Sequence, residues 1–260
     1  MSQWVYRGLK TGIVTTRYPE KPDSTPGVTP GLPKYSGSFA PGGHELAAIC
    51  PTKAIAAGIE HISIDYHRCV HCYRCQRETE HPLEWSSDYE WAMAVKYSTE
   101  PVEPENVFGS AFNNSVHIKI VDAGDCGACL HEVRKLDNPF YNLHRLGFFI
   151  TPSPRHADIL LVVGTGTDPM RFALEKTYEA MPTPKKVIAV GACALSGSVF
   201  GPSFATSPGI ADIVPIDIAV PGHPPPPLAI LHALLVAVGR RPPAPELEPL
   251  SIKPIMKAAE

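Results

Sequence analysis

Through the second half of the chain, short apolar runs alternate with longer stretches of helical character. Residues 116–121 (VHIKIV) alternate in polarity and are β-branched, so they read as a strand, and a helix is expected from about Leu130. Residues 157–163 (ADILLVV) form a continuous apolar run that leads into Gly164-Thr165-Gly166-Thr167 and then a helical stretch over 169–181. The pattern repeats. Residues 186–190 lead into Gly191-Ala192-Cys193, residues 213–218 lead into Val220-Pro221-Gly222-His223, and 228–239 reads as a last helix. Apolar strands alternating with helices predict an α/β domain built on a buried parallel sheet with helices on both faces. Open sheets of this kind carry their ligands beyond the carboxyl ends of the strands. That edge is where Cys126, Cys129, Cys193 and His223 fall, after three different strands.

The flanks lack this rhythm. The chain has 29 prolines, and they gather in a block over 19–43 (Pro19, Pro22, Pro26, Pro30, Pro33, Pro41) and again after Arg241. Both segments are extended in character and too poor in apolar periodicity to build a core, so 1–43 and 242–260 read as arms, either loose linkers or straps over a partner. Between them the expected order is a small domain over 44–100 and the α/β domain over 101–241. With 260 residues, 44% of them hydrophobic and 19% charged, the chain has globular composition, and its formal net charge of -3 offers no electrostatic reason to bind nucleic acid. The opening MSQWVYRGLK has no apolar run behind its charges, so no secretion leader is indicated. Residues 228–238 fall well short of the roughly 20 needed to span a bilayer, and His232 interrupts them. An intracellular chain with no membrane span is expected, peripheral attachment remaining open.

The chemistry lies in seven cysteines: Cys50, Cys69, Cys72, Cys75, Cys126, Cys129 and Cys193. An odd number without a leader argues against a disulfide framework and for metal. Cys69-Val70-His71-Cys72-Tyr73-Arg74-Cys75 sets three thiolates on one tight loop, and in bacterial ferredoxins the fourth ligand comes from a distant Cys-Pro, which Cys50-Pro51 supplies. Residues 49–55 (ICPTKAI) and 62–65 (ISID) resemble the text around the motifs of two-cluster ferredoxins, over about 44–82. The resemblance is to a half-emptied ferredoxin: Leu46, Gly43, Ala40 and Thr79 stand where one cluster's cysteines would be, and the four survivors are those that crossover ligation assigns to a single cubane. A closed structural zinc site on the same four thiolates is the alternative.

The second set belongs to a more specific pattern. The loop Cys126-Gly127-Ala128-Cys129 followed by Glu132, the string Ser153-Pro154-Arg155-His156-Ala157-Asp158-Ile159-Leu160 ahead of Gly164-Thr165-Gly166-Thr167, then Gly191-Ala192-Cys193 and Val220-Pro221-Gly222, together resemble the small subunit of membrane-bound, energy-converting nickel–iron hydrogenases and its homologue, the cluster-bearing B subunit of respiratory complex I, over about 112–240. Complex I has tandem cysteines in the first loop, so the C-x2-C here is closer to the hydrogenase branch. The resemblance implies a flavodoxin-like sheet, with a small ferredoxin-like α+β domain beside it. It further implies a 4Fe-4S cluster next to a catalytic large subunit, a cytoplasmic position on the inner face of the cell membrane, and partners that comprise that large subunit, membrane subunits and a ferredoxin or other iron–sulfur carrier. Glu132 would lie on a proton route, or be a carboxylate at a helix N-terminus and no more. Arg155 and His156 would shape a subunit interface, or be a solvated turn. His71 and His81 have no spacing that lifts them above surface residues.

One departure matters: the family pattern ends in Pro-Gly-Cys-Pro-Pro, and this chain reads Pro221-Gly222-His223-Pro224-Pro225. Three thiolates and one imidazole can hold a cubane, and a neutral ligand in place of a thiolate should raise the reduction potential, by analogy with Rieske centres. Seven cysteines and His223 then make eight ligands for two four-ligand clusters. The competing account is a three-iron cluster or none, with His223 an ordinary loop residue. No phosphate-binding glycine loop, hydrolase elbow or helix-borne zinc pair is present. The expected function is therefore electron transfer within a hydrogenase-like complex. The alternatives are a nickel-free, quinone-reducing relative and a non-catalytic iron–sulfur scaffold or sensor.

Overall fold

The computed structural model describes residues 2–12, 14–35, 42–58, 62–97, 108, 109, 112, 114–244 and 250–252. Ala40, one of the positions lacking a cysteine, lies outside them, as does most of the C-terminal segment. The elements run α1 (Gln3–Thr11), β1 (Pro33–Lys34), α2 (Gly43–Ile49), β2 (Ile55–Ala57), β3 (Ile62–Ile64), α3 (Arg74–Arg77), β4 (Glu84–Trp85), β5 (Met93–Tyr97), β6 (Val116–Asp122), α4 (Ala128–Lys135), β7 (Phe148–Ile150), β8 (Ile159–Val163), α5 (Asp168–Ala180), β9 (Lys186–Val190), α6 (Ala192–Ser196), β10 (Ile218–Val220), α7 (Pro227–Ala237) and β11 (Leu250–Ile252).

Five strands of the main sheet are parallel, in the order β7-β6-β8-β9-β10, which is 2-1-3-4-5 and hence the flavodoxin-like winding. Every side chain of the central β8 is buried, as a strand covered on both faces requires. One face packs Val133 of α4 and the apolar length of α7 from Leu228 to Leu235, and the other packs Leu174 of α5 with Ala194 and Leu195 of α6. The winding reverses between β6 and β8, so the crevice at their carboxyl ends opens beside the Cys126–Cys129 loop.

Three details differ from the sequence expectation. Residues 213–216 do not join the sheet: Pro215 has no N–H to give a ladder, and the chain instead makes a 3-10 turn over Ile210–Asp212 before Asp217 N donates to Val187 O at 2.9 Å and β10 begins at Ile218. β5, from within 44–100, pairs antiparallel with β10 and so belongs to the main sheet. His232, the break in the apolar run, is buried and satisfied, its Nδ1 accepting from Ala92 N at 3.2 Å and its Nε2 facing Pro242 O at 3.1 Å. Among the described residues no helix is long and apolar enough to cross a membrane.

The small domain has a core of its own in Leu46, Ile55, Ile62 and Leu83. Leu46, at a position where the resembled ferredoxin has a cysteine, is buried there. The described part of the N-terminal arm is neither a loose linker nor a strap over a partner alone, because it lies across its own chain. Thr16 N donates to Phe140 O at 2.9 Å, Tyr18 is buried edge-on to Tyr89, and Leu32 is buried. β1 pairs with β4, and the hydroxyls of Tyr66 and Tyr73 donate to the carbonyls of Pro33 at 2.9 Å and Pro30 at 2.7 Å. Gly31 makes this possible, since its φ is +74° and a Cβ there would sit 1.7 Å from Ser86 O. Gly31→Ala is expected to lower stability by ~1–3 kcal/mol in denaturant unfolding and to expose 14–35 to limited proteolysis. An unchanged cleavage pattern would contradict this docking.

Candidate metal centres

Cys50, Cys69, Cys72 and Cys75 line one cavity, together with Pro33, Ile55, Ile64, Val70, Tyr73 and Trp85. α2 ends at Cys50, which is extended, and the chain returns through the β2–β3 hairpin to the cysteine loop, so the hairpin sets the distance between Cys-Pro and C-x2-C-x2-C. The loop turns sharply by placing His71 and Tyr73 at positive φ. Burial pushes the Cys69 thiol up to about 12, against the opposing backbone N–H of His71, and burial raises Cys75 as well. Ala54 N donates to Cys50 Sγ at 3.2 Å. The Trp85 indole N–H faces Cys75 yet is itself left without a hydrogen-bond partner. Four half-buried thiols frame one apolar cavity, where burial makes Cys69 and Cys75 costly as bare thiolates, and a cationic inorganic body is what would offset that cost.

The second set is assembled from three strand ends. Cys129 is buried on α4, Cys193 is buried on α6, and Cys126 is exposed on the loop between β6 and α4. Burial raises Cys129, with the charges of Asp125, Cys193 and Cys126 adding to it, and burial raises Cys193, with Cys126 and Asp125 adding to it. Ser198 Oγ, buried and unpaired, faces Cys193. The approach is close because residue 191 is glycine. Its φ is +91°, and a Cβ would lie 2.5 Å from Cys129 Sγ and 3.5 Å from Gly222 O. Ala192 N donates to Gly222 O at 2.8 Å, which fixes the turn that presents His223 against the same loop. Burial lowers His223 below the ordinary histidine range, partly opposed by Asp125, and a neutral imidazole is the form that ligates. Among the described residues no three His, Cys, Asp or Glu side chains are drawn tightly enough together for a single metal ion.

The two sets lie in one packed body. Ser196 Oγ, on α6, donates to His67 O at 2.9 Å, and Trp91 Nε1 donates to Pro221 O at 2.8 Å. His71 is not the surface residue its spacing suggested. Both its ring nitrogens are buried and unpaired, it lies edge-on to Trp85 (5.7 Å) and Trp91 (6.1 Å), and burial, with a smaller push from His223, takes it down to about 4. Its position between two cysteines of the loop was the only hint in the sequence. Asp125 was also missed. It precedes Cys126, and its Oδ2 accepts from Gly127 N and Leu130 N, both at 3.0 Å.

Glu132 stands on α4, largely shielded, with Lys135 Nζ 2.7 Å from its Oε1, so it is paired rather than a free carboxylate at the helix start. Arg155 and His156 are exposed on the 3-10 turn Pro154–His156, before β8.

A 2-1-3-4-5 sheet with cysteine-bearing loops at its carboxyl edge is joined to a small four-cysteine domain, and with its relatives this makes the chain an oxidoreductase subunit. The chain belongs to the family described as NADH ubiquinone oxidoreductase, 20 Kd subunit, whose pattern matches residues 126–237. It is 44% identical over 118 residues to the probable membrane-bound hydrogenase subunit mbhJ of Pyrococcus furiosus, covering 45% of this chain and 71% of that one. It is 38% identical over 125 residues to formate hydrogenlyase subunit 7 of Escherichia coli, covering 48% of this chain and about half (49%) of that protein's length. It is 43% identical over 108 residues to the NADH-quinone oxidoreductase B subunit of Carboxydothermus hydrogenoformans, covering 41% of this chain and 65% of that one. The family binds an iron–sulfur cluster, and its members are subunits of hydrogenase and complex I-related assemblies. All three relatives align with less than half of this chain.

Gly191→Ala tests the close approach. A methyl group 2.5 Å from Cys129 Sγ, on a backbone at positive φ, should destabilise by ~1–3 kcal/mol and make the buried Cys129 thiol reactive to alkylation, read by mass spectrometry after brief labelling. Unaltered labelling of Cys129 would count against it.

Proposed function

We propose that this chain is the electron-transfer subunit of a membrane-associated, hydrogenase-like oxidoreductase complex, holding one 4Fe-4S cluster on Cys50, Cys69, Cys72 and Cys75 and a second on Cys126, Cys129, Cys193 and His223, and relaying electrons between them beside a catalytic large subunit. The observation that carries this reading is the seating of the four-cysteine loop against the edge bearing Cys193 and His223, through the Ser196–His67 and Trp91–Pro221 hydrogen bonds. Two donor sets in one rigidly packed unit are what a relay requires. The clusters supply one-electron chemistry when bound.

The donor sets fit such bodies. At the first site the cysteines frame an apolar cavity instead of meeting at a point, which favours a cubane over the compact tetrahedron of zinc, where sulfurs bonded at about 2.3 Å crowd one ion. The N–H of His71 points at the sulfur of Cys69 and favours its ionised form, and the N–H of Ala54 donates to Cys50 Sγ. Tyr73 and Trp85, both lining the cavity, stack on one another with ring centroids 4.0 Å apart. At the second site Gly191 leaves the space that Cys129 needs, and the turn at Gly222 brings His223 to it.

The partners proposed are the large subunit, membrane subunits of the same complex, and a ferredoxin or similar carrier. Attachment is placed on the inner face of the cell membrane. α1 supports a peripheral position, because it buries none of its residues and exposes Trp4, Tyr6 and Leu9 beside Arg7 and Lys10, the make-up of a helix that lies in an interface. Glu132 is proposed as a proton-transfer group and Lys135 as its charge partner.

Purified chain should contain about eight irons with matching acid-labile sulfide, as two cubanes require; about two zincs without sulfide would replace the relay with a scaffold. His223→Ala should lose one cluster's EPR signal and keep the other, whereas His223→Cys should keep both, the second at lower potential. Unchanged spectra in the alanine variant would remove His223 from the ligand set.

A further inference from the structure

His223 is held at the second site by its backbone, yet an imidazole also needs its ring fixed. Ligating histidines are held by what the second ring nitrogen donates to, most often a carboxylate or carbonyl. One group on the opposing loop is free to serve. Asp125 has its Oδ2 committed to Gly127 N and Leu130 N, while its Oδ1 is buried without any hydrogen-bond partner. Leaving a buried acceptor unmatched is costly, and such atoms in native proteins call for an explanation. The carboxylate sits at the start of α4, bound to Leu130 N next to Cys129, and the Gly222 turn that carries His223 borders the same cysteine. Cysteines that bind metal have lost their hydrogen, so of the candidate ligands gathered here the imidazole is the one that can donate.

The loops that carry the two groups are also pressed together. The space at Gly191 lies 2.5 Å from Cys129 Sγ and 3.5 Å from Gly222 O, so the turn bearing His223 abuts the loop that Asp125 opens. On the other side of Asp125, the Cβ position of Gly164 would be 2.7 Å from Asp125 N, so the loop cannot retreat.

We propose that Asp125 is the positioning residue of the second site, its free Oδ1 accepting the ring N–H of His223 so that the other ring nitrogen is presented to the group held by Cys126, Cys129 and Cys193. This rests on the reading of His223 as a ligand. The carboxylate would fix the tautomer and make the imidazole a stronger donor, recovering part of the negative charge that a cysteine at this position would have supplied.

Asp125→Asn isolates the effect. The side-chain oxygen can still accept from Gly127 and Leu130, but an NH2 group, itself a donor, replaces the free acceptor. In the full-length protein the variant should lose iron from the second centre about tenfold or more faster under a fixed chelator challenge, raise that centre's midpoint potential, and alter the nitrogen coupling in its pulsed EPR spectrum, leaving the first centre unchanged. The same substitution made in a His223→Cys background should leave iron retention unaltered and shift the potential by less, because there is no imidazole to hold. Equal effects in the two backgrounds would reduce Asp125 to a nearby charge and overturn the proposal, as would no effect in either. Absence of nitrogen coupling in the unsubstituted protein would instead overturn the ligand reading on which it rests.

Discussion

Parallel pairing is the constraint on which the rest depends. In the parallel part of the sheet, β7 to β10, every strand ends at the same edge, so the residues that follow β6, β9 and β10 are neighbours in space although almost a hundred positions separate Cys126 from His223. That geometry demands burial on both faces, met by α7 on one side and by α5 and α6 on the other. What the edge can then hold depends on small residues. A side chain at position 191 would drive the loops apart.

Much of this could be read from the chain. Strands β6, β8 and β9 and helices α5 and α7 fall within a residue or two of the segments read for them, β8 and β9 because a strand buried on both faces has no polar positions to confuse its limits, and β6 because its polarity alternates. The cysteine sets and the edge on which the second one sits followed from spacing and strand order. Residues 213–216 misled because Ile213, Val214 and Ile216 are as apolar as any strand, and the loss of one donor at Pro215 outweighed them. The arm misled for the opposite reason: its prolines exclude a core of its own, but Tyr18 and Leu32 needed only a neighbouring surface. His71 and Asp125 were invisible, since what marks them is the lack of partners for buried nitrogen and oxygen atoms, a property of the packed state alone.

The small domain and the sheet are more tightly joined than a fusion of two modules demands. β5 continues from the four-cysteine segment straight into the edge of the sheet, Trp91 just before it reaches across to the carbonyl of Pro221, and the β1–β4 pair draws the arm over the same region. The family pattern covers residues 126–237, so the four-cysteine segment, the arm and β5 lie outside it.

The buried leucine at position 46 bears on what holds the thiol loop. Where a ferredoxin must wait for minerals on both halves before it can hold a shape, this segment gathers Leu46, Ile55, Ile62 and Leu83 into an ordinary oily centre, with Cys50 and Cys75 packed against it. One half has hydrocarbon in place of an inorganic keystone. The thiol loop thus sits at the margin of a hydrocarbon core, held in place by side chains rather than by the loop's own cysteines alone.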